Sequence, residues 1–200
     1  MSNDQPADNG RRTAIVATSA VGGFGALCTA VPFVSTFAPS EKARAAGAPI
    51  EVDISQIKEG ERMVVEWRGK PVWIVKRTKE MLDSLAKAEP ELADPKSERK
   101  PSELTPEYCR NQYRSIKPEL LVTVGICSHL GCSPSGPFAP GANVALRAGD
   151  WGFVCPCHGS TFDLAGRVFK AKPAPDNLEV PPHMYLSDTK LVIGDDKKGA

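Results

Sequence analysis

The sequence has no surplus of charge: 25 basic residues stand against 24 acidic ones among 200. It also has no long basic run, which argues against nucleic acid as a partner. Histidine is scarce, with three residues, and cysteine is too sparse at six for a small disulfide scaffold in a chain this long. The usual structural-zinc layout, with cysteine pairs and histidine pairs at their own spacings, is missing as well. One long stretch lacks charge altogether, from Thr13 to Ser40 between Arg12 and Glu41. Eighteen prolines and seventeen glycines favour a loop-rich, strand-built domain over a helical bundle.

The few histidines and cysteines that exist are concentrated. Two short boxes, Cys127-Ser128-His129-Leu130-Gly131-Cys132 and Cys155-Pro156-Cys157-His158-Gly159-Ser160, hold two of the three histidines and four of the six cysteines. Thiolates and imidazoles gathered in this way suit a metal or cluster site. Each box supplies a mixed pair, Cys-x-His and Cys-x-x-His. One metal can then take both thiolates and a second both imidazoles, although the residues alone leave a zinc site open.

These boxes resemble the paired motifs of the Rieske iron–sulfur family. The resemblance implies a [2Fe–2S] cluster with Cys127 and Cys155 on one iron and His129 and His158 on the other. It implies a disulfide between Cys132 and Cys157, a pair that points to the high-potential, quinol-oxidising branch. Ser160 matches the position whose hydroxyl donates to a cluster sulfide and raises the potential. Phe162 stands where high-potential members commonly carry a tyrosine, so a lower potential is expected. His158 and His129 are the expected catalytic residues, with His158 as the quinol contact. Lys172-Pro173-Ala174-Pro175 resembles the family's proline loop over the cluster; a plain turn is the alternative.

The implied function is that of a subunit of a bacterial ubiquinol–cytochrome c reductase. It would take an electron from ubiquinol, with a proton at a cluster histidine, and pass the electron to a c-type cytochrome. The implied partners are cytochrome b and c-type cytochrome subunits in a dimeric complex. The alternative is the Rieske relay subunit of a periplasmic molybdenum oxidase such as arsenite oxidase, for which a retained anchor is not expected.

The expected organisation has four parts. Residues 1–12 form a cytoplasmic N-terminus with the twin-arginine feature Arg11-Arg12. Residues 13–40 form a transmembrane helix, since about 20 apolar residues span a bilayer. Residues 41–49 form a flexible tether, and residues 50–200 a periplasmic domain. A cleaved signal peptide competes with the anchor. The periplasmic side is argued from the implied disulfide, which persists there and rarely in cytosol.

Within the domain the expected fold is all-β: an antiparallel β-sandwich of Rieske type with an inserted cluster-binding subdomain at about 125–177. Strands are expected at 50–54, 63–67, 72–76, 120–124, 151–154, 167–169, 178–180, 184–186 and 191–193. A hairpin turn is expected at 68–71 and an amphipathic helix at 79–88. The polar segment 89–118 reads as a surface insertion without visible chemistry, His183 as an ordinary surface histidine, and Cys28 and Cys109 as inert.

Overall fold

A computed structural model describes residues 8–99 and 104–196; residues 1–7 of the expected N-terminal segment, 100–103 of the polar segment and the last four residues lie outside them. The chain divides into two compact units, Met1–Ala45 and Ala46–Ala200.

The first unit is built on α1 (Asn9–Ser35). Asp8 caps it, its side chain accepting from the Gly10 and Arg11 N–H groups, so two otherwise orphaned donors are satisfied. At 1.5 Å per residue, α1 is about 40 Å long. It is long and apolar enough to cross a membrane, and none of its side chains is buried within the chain. The helix starts before Thr13 and ends before Ser40, because Thr36 to Ala38 turn back onto the last carbonyls of α1. Ser40 then accepts from Ala43 N–H and opens a second short helix, α2 (Glu41–Ala46).

Three antiparallel sheets make up the second unit among the described residues. The first is β2 (Arg62–Trp67), β3 (Lys70–Lys76) and β4 (Leu120–Val124), with β3 in the centre. A two-residue turn joins β2 to β3, with Trp67 paired to Lys70 and both Arg68 and Gly69 at positive φ. This is the conformation that matches strand twist in tight hairpins. A second sheet orders β1 (Ile50–Asp53), β9 (Lys190–Ile193) and β8 (His183–Tyr185), with β9 central. The third is β5 (Ser135–Phe138), β6 (Gly152–Val154) and β7 (Thr161–Phe162).

The alternation along β3 decides how these sheets stack. Val72 and Ile74 enter a core shared with Val52, Trp67, Val122, Leu191 and Ile193 from the first two sheets. Their neighbours Trp73 and Val75 enter a second core with Leu121, Phe153, Phe162, Cys127 and Cys155. The β3–β4 pair is therefore buried on both faces and forms the middle layer, as period-two side chains require. Helix α3 (Lys79–Ala88) closes the second core with Met81 and Leu85, and the Thr78 hydroxyl caps its start by accepting from Met81 N–H. The expected β-sandwich with an inserted subdomain is the observed architecture.

Four local expectations are corrected. Residues 167–169 form only isolated bridges, Phe162 to Val168 and Leu92 to Phe169. Residues 178–180 run beside β4 without a ladder: the Glu179 carbonyl accepts both Val124 N–H and the Thr123 hydroxyl. Pro181 and Pro182 follow and have no N–H to extend the pairing. The polar 89–118 segment is not a surface appendage, since Leu92, Thr105, Cys109, Arg114 and Ser115 are buried. Of its charged side chains, Arg114 turns inward and donates to the carbonyls of Ala165, Gly166 and Leu178. His183 is 0% exposed rather than a surface residue. It sits between the Tyr108 and Tyr185 rings, with Nδ1 2.8 Å from the Pro181 carbonyl oxygen.

Candidate metal centre

Each box leaves a strand and returns to the sheet region within six residues, and the two do so by the same hydrogen bonds. In the first, Cys127 N–H donates to the Cys132 carbonyl (2.8 Å) and Gly131 N–H to the Cys127 carbonyl (3.1 Å). In the second, Cys155 N–H donates to the Ser160 carbonyl (2.8 Å) and Gly159 N–H to the Cys155 carbonyl (3.0 Å). Gly131 and Gly159 carry φ values of 81° and 72°, and nothing lies within 4 Å of where a Cβ would be. The backbone conformation, not crowding, is what calls for glycine there. Crowding matters one step earlier: a Cβ on Gly125 would lie 2.1 Å from the Trp73 ring. That close approach seats the first box on the middle sheet.

The two loops place like beside like. Cys127 and Cys155 are 1% and 2% exposed, within the second core. His129 is half-buried and His158 exposed, with ring centroids 4.7 Å apart and planes at 89°. Sulfur lies inside and nitrogen at the surface.

A disulfide joins Cys132 to Cys157 across the loops. The Cys155 sulfur lies within 4.8 Å of both disulfide sulfurs, but those two are spent in their own bond. The donors left at the loop ends are Cys127, His129, Cys155 and His158. Two thiols and two imidazoles at adjacent points are the donor set of a His-ligated [2Fe–2S] centre, so these residues fit that group.

Burial pushes the Cys127 thiol above its ordinary range; the His129 backbone N–H and the Ser160 side chain oppose that push by hydrogen bonding to it. Both interactions favour sulfur in its ionised form, the form that binds metal. Ser160 is fully buried, and its Oγ accepts from Ala174 N–H at 2.9 Å. With its oxygen so occupied, its hydrogen is available to the Cys127 sulfur.

The segment 172–176 lies against both boxes through Ser160 and through Ser128, whose hydroxyl bonds to the Asp176 backbone. Arg99 adds a bond to the Pro175 carbonyl at 2.8 Å. Sequence reasoning missed Ser128, although it sits inside the first box. It also missed the Asp163–Arg167 pair, 2.7 Å apart and about 1% exposed on both sides, just beyond the second box. No local pattern marks either, since their partners are distant or defined only by the turn they build.

Comparison with known proteins gives a consistent result. The Rieske [2Fe-2S] domain matches residues 99–182. The ubiquinol-cytochrome c reductase iron-sulfur subunit of Allochromatium vinosum is 54% identical over 192 residues, covering 95% of this chain and 90% of the relative. The subunit of the same name from Bradyrhizobium diazoefficiens is 41% identical over 180 residues, 90% of each chain. Among solved structures, a chain of a hyperthermophilic respiratory complex III matches at 28% identity and a TM-score of 0.47, covering 90% of this chain and 98% of that one. The chain belongs to the family of Rieske [2Fe–2S] iron–sulfur subunits of ubiquinol–cytochrome c reductase.

Proposed function

We propose that this chain is the electron-accepting subunit of a membrane-bound ubiquinol–cytochrome c reductase, taking one electron from quinol and passing it to a c-type cytochrome. The observation that carries the reading is the pair of outward imidazoles, 4.7 Å apart, above two buried thiols on loops of matching hydrogen-bond form. In this reading Cys127 and Cys155 hold one iron, and His129 and His158 the other. When bound, the [2Fe–2S] group supplies a one-electron acceptor, at a higher potential than an all-cysteine centre because neutral imidazoles replace two thiolates.

The chain's own residues do the rest. His158, the more exposed imidazole, accepts the hydrogen bond of a quinol hydroxyl at the ring nitrogen left free of iron and takes up its proton. His129 faces the same surface. The Ser160 hydroxyl and the His129 N–H donate to the Cys127 sulfur and ease the arrival of negative charge. Ser128, Ser160 and Arg99 hold segment 172–176 over the loops and keep water from the buried sulfurs.

Quinol binding is completed by partner subunits, which are cytochrome b and a c-type cytochrome in a dimeric assembly. The segment 13–40 anchors the chain in the inner membrane, 41–49 tethers it, and 50–200 lies in the periplasm. The relay reading, as a subunit of a molybdenum oxidase, has no observation of this chain in its favour. Extraction from membranes decides the matter. Detergent, but not high salt, is expected to release the chain together with cytochrome b, with a rhombic EPR signal on reduction. Release by salt without cytochrome b overturns the proposal.

A further inference from the structure

Beyond the two boxes, the least expected feature of the fold is the positive charge it buries. Arg77, Arg114 and Arg167 are 2%, 0% and 1% exposed, and all three converge on residues 163–167, the turn that follows the second box. Arg167 is paired there with Asp163. Arg77 instead donates to the carbonyls of Tyr113, Leu164 and Pro118 and to the Ser115 hydroxyl. Arg114 donates to the carbonyls of Ala165 (2.9 Å), Gly166 (3.2 Å) and Leu178 (2.6 Å) and to the Thr105 hydroxyl (2.7 Å). Its Nε has no partner.

A cation held only by neutral groups is an expensive way to tie loops together. An apolar side chain of similar volume serves packing as well or better in many buried sites. Both groups nevertheless remain charged at neutral pH: burial lowers Arg77 and Arg114 only to about 10. The buried carboxylates among the charges that act on them are Asp163 and Asp94, two against three guanidinium groups. Cys109, beside Arg114, is held as a neutral thiol, its pKa pushed up to about 12 by burial. The interior here carries a positive surplus.

That surplus adjoins the metal centre through packed protein. The Leu164, Ala165 and Leu178 carbonyls that receive these arginines belong to residues of the same core as Cys127 and Cys155. Charges act farther through such a medium than through water.

We propose that Arg114 and Arg77 are positioning residues for electron acceptance: from the turn that follows the second box they set a positive potential at the centre that favours the reduced state. The proposal rests on the [2Fe–2S] reading above.

The test is a redox titration of the full cluster-loaded chain in detergent. Arg114→Met is expected to lower the midpoint potential, and Arg114→Lys, which keeps the charge, to restore it. Asp163→Asn removes a negative charge and is expected to move the midpoint the other way. Thr105→Asp sets a carboxylate against Arg114 and is expected to lower the midpoint, whereas Thr105→Val loses the same hydrogen bond and leaves it unchanged. Should Arg114→Met fail to fold, the Thr105 pair decides. Unchanged potentials in Arg114→Met and Thr105→Asp, or a downward shift in Asp163→Asn as well, overturn the proposal and leave the arginines as structural ties. Failure of the underlying reading looks different: the unaltered chain then shows no rhombic EPR signal at all.

Discussion

The Ser128 hydroxyl donates to the Asp176 carbonyl at 2.7 Å and accepts from the Asp176 N–H at 3.2 Å, so one side chain satisfies both backbone groups of a residue 48 positions away. It is the direct tie between the first box and segment 172–176. Ser128→Ala leaves both groups of Asp176 unmade in a partly buried place, at about 1–3 kcal/mol. The expected outcome is a melting temperature lower by several degrees and faster bleaching of the cluster on heating. Unchanged bleaching kinetics would show that the segment does not guard the centre.

Phe162 is fully buried in β7, paired across the strands with Phe153 and packed in the core that holds Cys127 and Cys155. Its ring offers no donor, so the reduced centre lacks any hydrogen bond from this position. Phe162→Tyr adds a hydroxyl that has to find an acceptor in that core. The midpoint potential is expected to rise, and voltammetry on the loaded protein reads it. An unmoved midpoint refutes the expectation.

His183 offers a pH test remote from the centre. Burial holds its imidazole below the ordinary value of 6.5, against the opposing pull of the Pro181 carbonyl and Asp196, and its Nε2 has no partner. The unfolded chain therefore takes up this proton at a higher pH than the folded one. By linkage, stability falls as pH drops below about 6.5 and levels off under the folded pKa. Denaturant melts across that window should show a loss of stability in the unaltered protein that is smaller in His183→Phe. Equal pH slopes in the two proteins would remove His183 as a source.

The sequence revealed most where chemistry is local. Six-residue boxes, a hairpin turn within 68–71 and an amphipathic helix at 79–88 declare themselves through neighbours a few positions apart. The segment 89–118 did not, because Arg99, Arg110 and Arg114 look alike in a polar run. Distant carbonyls at Ala165, Gly166 and Leu178, together with the Thr105 hydroxyl, draw Arg114 fully inside. Residues 178–180 carry a strand-like pattern, yet the following prolines and the carbonyl already given to β4 prevent a ladder. His183 is one residue of a three-residue strand, too short for periodicity to tell its face.

The disulfide is the covalent counterpart of these ties. It closes a loop between positions 25 apart, Cys132 and Cys157, and joins the two boxes covalently. Chain-entropy arguments put the stabilisation from a loop of that length at about 3–4 kcal/mol. Cys157 also precedes His158, so the cross-link fixes where that imidazole sits relative to His129 on the opposite loop. Cys132→Ser with Cys157→Ser is expected to fold, retaining the β2-β3-β4 and β1-β9-β8 sheets, whose shared core contains neither cysteine. The centre should become labile, with cluster lost within the purification and a broadened EPR signal in what remains. Far-ultraviolet circular dichroism read beside iron content separates the two effects. A double variant that keeps its full iron and an unaltered signal would mean that the twin hydrogen-bonded loops alone hold the histidines in place.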